Sequence, residues 1–197
     1  MKISPFRSLL LSILTVGLLA SCGGPEPIYD LSDSSYRLLD SDSAAVTFPE
    51  DYKGDISVIS FIYTHCPDVC PVITANMTNI QNQLQDTSGI NFIEISFDPE
   101  RDTPSTLRDY KELYRLNDQF TLLTGDTTTV NDLLERLEIV AMKVSADTVG
   151  PDSSSYAMRH SNTLYLMDEN GRILSEYPAH VVPPEHVIED IQNLRDS

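Results

Sequence analysis

An α/β domain with a mixed sheet flanked by helices is what the sequence predicts, and three patterns carry that prediction. Short β-branched and aromatic runs alternate with helical periodicities, a hairpin pattern with a turn glycine follows, and a last amphipathic helix closes the chain. The first run, residues 57–63 (SVISFIY), is short, β-branched and aromatic and suits a buried central strand. Residues 91–98 (NFIEISFD) and 120–124 (FTLLT) read as two more strands. Between them Ile73, Met77, Ile80 and Leu84 share one helical face, and Leu107, Tyr110 and Tyr114 share another. The second helix is announced by Thr103-Pro104, a good cap followed by a residue whose missing N–H costs nothing in a first turn. Val130, Leu133, Leu134 and Leu137 mark a third helix, and Val187, Ile188, Ile191 and Leu194 a fourth. The hairpin is read in 163–167 and 172–177, joined by Asp168-Glu169-Asn170-Gly171. This order of elements is the one a thioredoxin-like domain shows.

Composition narrows the function before any motif does. The 197 residues hold 13 Lys+Arg against 30 Asp+Glu, a net charge of −17, with 41 % hydrophobic residues. That is an ordinary core for one domain. So few cations cannot build the positive face that a phosphate backbone requires, so no nucleic-acid partner is expected. No GxxxxGK[ST] or GxGxxG loop supports nucleotide binding.

The first residues read as an address. Lys2 and Arg7 precede a short apolar run, and Leu19-Ala20-Ser21-Cys22 ends it. A basic start, a short apolar stretch and small residues before a cut define a secretory signal. The run is shorter than the roughly 20 residues a spanning helix needs, which disfavours the alternative of a membrane anchor. The tetrapeptide resembles a bacterial lipobox. The expectation is a signal peptide over 1–21, a lipidated Cys22 opening a flexible tether over 22–35, and one domain over 36–197. Removing Lys2 and Arg7 would take the charge from −17 to −19. The expected location is the bacterial cell envelope, lipid-anchored and facing the periplasm or the outside of the cytoplasmic membrane.

Outside the cytoplasm disulfides are permitted, and with Cys22 lipidated one pair remains, Cys66 and Cys70. The pair follows the buried strand and opens the first helix. A helix N-terminus offers partial positive charge and free N–H groups that favour a thiolate. In a helical turn the i, i+4 spacing puts both sulfurs on one face, and loops at the carboxyl ends of strands are where α/β sheets carry their sites. Such a pair can close a structural disulfide, exchange disulfides with a partner, or hold a soft metal. Spacing alone does not choose between these.

A wider pattern says more. Residues 61–71 (FIYTHCPDVCP), 96–104 (SFDPERDTP) and Arg159-His160-Ser161 followed by 164–168 (LYLMD) and Gly171 are similar, in order, to the motifs of the Sco/SenC family. Ile62 departs from it, standing where glycine is common. The resemblance implies a thioredoxin-like fold and one copper, Cu(I) or Cu(II), held by Cys66, Cys70 and His160. It implies delivery to the copper-centre subunit of cytochrome c oxidase, or another envelope cuproprotein. The same resemblance allows a thiol–disulfide oxidoreductase, with Cys66 and Cys70 as the catalytic pair and a thioredoxin-like reductant as a further partner. The chain is therefore expected to be a metallochaperone, or if an enzyme an oxidoreductase. A thiol peroxidase is a third reading, but it has no use for His160.

Other residues compete less well. His65 adjoins Cys66 and reads as a loop residue, while His180 and His186 read as surface residues. Asp68 is placed to cap the helix, and Asp98, Arg101 and Asp102 to form an ion-pair network holding the loop beneath the site. Met77 belongs to a core stripe, and nothing in the spacing of Met142 or Met158 supports a ligand role.

Overall fold

A computed structural model describes residues 25–145 and 156–196. The stretch expected to be a signal peptide, Cys22 and the start of the expected tether lie outside the described residues. Among the described residues ten strands are seen: β1 (Tyr29–Asp30), β2 (Tyr36–Asp40), β3 (Ala45–Phe48), β4 (Ile56–Ile62), β5 (Ile90–Ser96), β6 (Phe120–Thr124), β7 (Ala141–Ser145), β8 (Tyr156–His160), β9 (Thr163–Met167) and β10 (Arg172–Pro178). The helices are α1 (Val69–Gln83), α2 (Pro104–Leu113), α3 (Thr127–Arg136) and α4 (Pro184–Arg195). Eight strands form one curled, mixed sheet in the order β1-β10-β9-β4-β5-β6-β2-β3, and β7 and β8 form a separate two-stranded sheet. With its flanking helices this is the thioredoxin-like arrangement the sequence predicts.

β4, β5 and β6 run parallel, with Ile56 opposite Ile90 and Phe92 opposite Phe120. Every residue of β4 is buried, Ser57 and Ser60 included, as expected of a strand covered on both faces. Along α1 the buried residues are Cys70, Ile73, Thr74, Met77, Ile80 and Gln81, one face of the helix. Thr74 of α1 bonds to Tyr110 of α2, so both crossover helices cover the same side of the sheet. The amide of Asn76 ties α1 to the approach of α4 by donating to the carbonyls of Ala179 and Val182 at 2.9 and 3.1 Å. The caps follow the sequence signals. Thr103 Oγ1 accepts from Thr106 N at 3.3 Å, and Asp126 Oδ1 from Thr129 N at 2.9 Å. In the β9–β10 turn Asp168 accepts from the N–H groups of Asn170 and Arg172, and Gly171 takes φ +83°.

Two regions differ from expectation. β1 lies within the stretch read as tether and pairs with β10, and Leu31 beside it is fully buried. A two-residue strand among Gly, Pro, Ser and Asp has no period to reveal it. The β7–β8 hairpin, which carries His160, is the other. Its strands are only partly covered, so neither shows a strong apolar alternation. Among the described residues no helix is long and apolar enough to cross a membrane.

Candidate metal centre

The loops after β4 and β5 bring the first two motifs to the carboxyl end of the parallel strands. Cys66 N–H closes a turn onto Tyr63 O at 3.2 Å, and α1 begins three residues later. Asp68 holds the cap position, but its side chain accepts no bond from the helix and is exposed, contrary to the expected capping role. The acceptor is a sulfur instead: Cys70 N–H lies 3.4 Å from Cys66 Sγ. A free N–H of the helix start therefore points at the thiolate, the arrangement that stabilises its charge. Pro71 in the same turn costs no hydrogen bond, because first-turn N–H groups have no partner inside the helix.

The two thiols are driven apart in acidity. The bond from Cys70 is the main cause that lowers Cys66 well below the ordinary thiol range, with burial opposing and His160 and two backbone N–H groups assisting. The same contact and burial raise Cys70, which stays protonated beside the Cys66 thiolate. Both cysteines are unbridged.

His160, the last residue of β8, completes the group. The ligating atoms of Cys66, Cys70 and His160 all lie within 4.8 Å of one another. His160 Nδ1 is 2.9 Å from the carbonyl oxygen of Ser161. A carbonyl can only accept, so Nδ1 carries the proton and Nε2 is the ring nitrogen left to face the sulfurs. The ring packs on Phe97 at 4.6 Å and on Tyr63 at 5.7 Å between centroids. Two thiolates and one neutral imidazole suit Cu(I) and can also hold Cu(II).

The second motif supports both sides of this group. Asp102, fully buried, accepts from Ser96 Oγ at 2.6 Å and from Thr64 through N at 3.0 Å and Oγ1 at 2.5 Å. It thereby fixes the backbone two residues before Cys66. Burial raises its pKa, and the bonds from Ser96 and Thr64 oppose the rise. Asp98 forms the ion pair, with Arg101 Nε at 2.5 Å. Asp98 also accepts from Tyr156 Oη at 2.5 Å, while Arg101 Nη1 donates to Tyr156 O at 3.0 Å and its guanidinium lies 3.6 Å above the Tyr156 ring. The expected network exists, but only Asp98 and Arg101 pair by charge, and they hold the histidine hairpin as well as the loop.

The remaining candidates fall outside the centre. His65 is half exposed and bonded to Thr64 Oγ1 at 3.1 Å. His180 and His186 are exposed, Met77 is buried in the core, Met142 is exposed and Met158 half-buried. Sequence reasoning missed Tyr63, Phe97 and Tyr156. The first two directly follow β4 and β5, where aromatic residues at strand ends were a usable signal; Tyr156 gave none.

The fold and this group of side chains define a thioredoxin-like protein with a thiolate–imidazole group that could hold a metal. The SCO1/SenC pattern matches residues 29–196. A SCO2-like protein of Rickettsia prowazekii is 31 % identical over 156 residues, covering 79 % of this chain and 68 % of the relative. The structure of Bradyrhizobium japonicum ScoI with copper bound is similar, with TM-score 0.68 and 31 % identity over 81 % of this chain and 97 % of that one. BsSco, described as a member of the Sco family of cytochrome c oxidase assembly proteins, shares the fold at TM-score 0.67 and 24 % identity, covering 88 % of this chain and 98 % of its own. The chain belongs to the SCO1/SenC family, and its Cys66–Cys70–His160 group could bind copper.

Proposed function

We propose that this protein binds one copper ion through Cys66, Cys70 and His160 outside the cytoplasm and hands it on in assembly of the copper centre of cytochrome c oxidase. The observation that carries the reading is the convergence of two cysteine sulfurs and a histidine ring nitrogen within 4.8 Å of one another. Copper is cargo here, so the site must release it as well as bind it. Three ligands leave a position at which a recipient's thiolate can enter. The membership in a family linked to cytochrome c oxidase assembly supports the recipient. The lipobox-like end at Cys22 supports a lipid anchor in the envelope. The test is copper loading of the reduced protein followed by X-ray absorption. One copper per chain, with two sulfurs and one nitrogen around it, is the expected result; a copper surrounded only by oxygen and nitrogen would refute the site.

The split acidity of the cysteines favours a second reading, thiol–disulfide exchange. Cys66 is the ready thiolate and Cys70 the protonated resolving thiol. Rapid equilibration of the pair with a glutathione couple would support it, and inert thiols would remove it.

A further inference from the structure

The β7–β8 hairpin has one face on the body and one that nothing covers among the described residues. Ser161 N donates to Val140 O at 2.9 Å and continues the register of the two strands. Strand alternation puts Ala141, Lys143, Tyr156, Met158 and His160 on one face. That face is the docked one: Ala141 and Met158 pack on the core, Lys143 pairs with Glu100, and Tyr156 bonds to Asp98. The opposite face carries Val140, Met142 and Val144, which are 48 %, 51 % and 37 % exposed. Arg159 and Ala157 lie beside them, opposite Met142 and Val144 in the register.

β7 also has an open edge. In an antiparallel pair, residues that bond across alternate with residues that do not. Val140 bonds across to Ser161, so Met142 and Val144 bond across as well. Ala141 and Lys143 therefore turn their N–H and C=O groups away from β8. No strand pairs with that side among the described residues. Such an edge is a template for a further strand. Ala141 stands opposite His160. A strand added to β7 would thus lie two inter-strand spacings, about 10 Å, from the backbone of the third candidate ligand.

The chemistry of the face narrows what it takes. Residues 140–145 and 156–161 hold two cations and no acid, in a chain of net charge −17. Lys143 is engaged by Glu100. Arg159 is exposed and has no ion pair or hydrogen bond among the described residues. A fitting occupant brings apolar side chains at alternate positions for Val140, Met142 and Val144, and a carboxylate for Arg159. A bilayer is disfavoured, because hydrocarbon satisfies no N–H or C=O of an open sheet edge. A second copy pairing through its own β7 brings a further lysine and no carboxylate.

We propose that the open edge of β7 and the uncovered face of the hairpin receive an extended apolar segment of the copper recipient, paired as a third strand with a carboxylate on Arg159. The inference rests on the delivery reading and adds to it the surface on which the recipient sits. Docking there brings the recipient's chain beside the strand that carries His160, without displacing the contacts that hold the hairpin to the body.

Amide exchange of the copper-loaded full chain, followed by NMR, tests this with and without the copper-free domain that carries the copper centre of cytochrome c oxidase. The amides of Ala141 and Lys143 should exchange about tenfold or more slowly in the complex, and those of the distant edge strand β3 should not change. Met142→Asp and Arg159→Glu should each weaken the association by about tenfold or more. Copper affinity, read by chelator competition, should stay that of the native protein in both. No association, unchanged exchange at Ala141 and Lys143, or association that both variants leave intact would overturn the surface. The same protection produced by anionic vesicles, or by raising the concentration of the protein alone, would overturn it too, assigning the edge to a membrane or to a second copy. Copper movement separates this inference from the delivery reading. Transfer at the native rate in both variants would refute the surface and keep delivery, whereas docking on the edge without transfer would keep the surface and remove delivery.

Discussion

The two sides of the metal centre are built differently. Cys66 and Cys70 follow β4, a strand buried along its whole length and paired on both sides by β5 and β9. His160 ends β8, whose only strand partner among the described residues is β7, in a hairpin where Met142 and Val144 are 51 % and 37 % exposed. Besides its links to α3 through residues 137–140 and to β9 through Ser161 and Asn162, the hairpin meets the body mainly through side chains. Tyr156 bonds to Asp98 and stacks on Arg101, Lys143 pairs with Glu100 at 2.6 Å, and His160 rests on Phe97 and Tyr63. A backbone ladder in a core is cooperative and opens only with the domain, while a half-exposed hairpin on a few side-chain contacts belongs to the low end of local stability. Two of the three candidate ligands therefore belong to the body and the third to an arm.

The largest effect is expected on the body side. Cys66→Ser should eliminate both copper binding, read by chelator competition, and disulfide formation, read by alkylation. Copper still held tightly by this variant would place the centre elsewhere. On the arm side His160→Ala should weaken copper by at least a hundredfold, since even lost outer partners of a ligand cost 10–100-fold. The glutathione equilibrium of the cysteines should barely move. If binding and exchange fell together, arm and body would not be separable.

How much of this was legible follows the same line. The β4 run and the α1 stripe of Ile73, Met77 and Ile80 could be read from sequence because complete burial imposes an apolar pattern. The Cys66–Cys70 loop was legible because both residues are local to one strand–helix junction. His160 was not reachable from local pattern: it is 90 residues beyond Cys70, on a half-covered strand, and only the resemblance to a family singled it out. Asp68 was misjudged because a cap is chosen by three-dimensional competition, and the Cys66 sulfur won the N–H that the carboxylate was expected to accept. The grip of Arg101 on Tyr156 joins residues 55 apart, and no spacing rule encodes it.

Within the body, Glu94 is where burial opposes charge, and its effect should be read in stability. Its pKa is raised from 4.5 to about 7, so the folded state favours the protonated form. The stability this confers is complete below the ordinary range of a glutamate and is lost as pH rises through about 7. At 1.36 kcal/mol per unit the loss is on the order of 3 kcal/mol between pH 4 and 8. Urea denaturation of the reduced protein at several pH values should show that decline, and Glu94→Gln should flatten it. A variant that loses as much stability over the same range as the native protein would assign the decline to other groups.

The smallest effect tests the arm alone. Tyr156→Phe removes the hydroxyl that Asp98 accepts and leaves the ring on which Arg101 stacks. The variant should lower copper affinity about tenfold, near 1.4 kcal/mol, the lower end of what an outer partner of a ligand contributes. The midpoint of urea unfolding should change little, because the main sheet does not depend on the hairpin's grip. The cysteine exchange equilibrium should also stay where it is, since Asp102 and not Asp98 fixes the backbone before Cys66. An affinity equal to that of the native protein would mean that the aromatic contacts of Phe97 and Tyr63 hold His160 unaided. A loss of copper and exchange together would mean that the hairpin is part of the body after all.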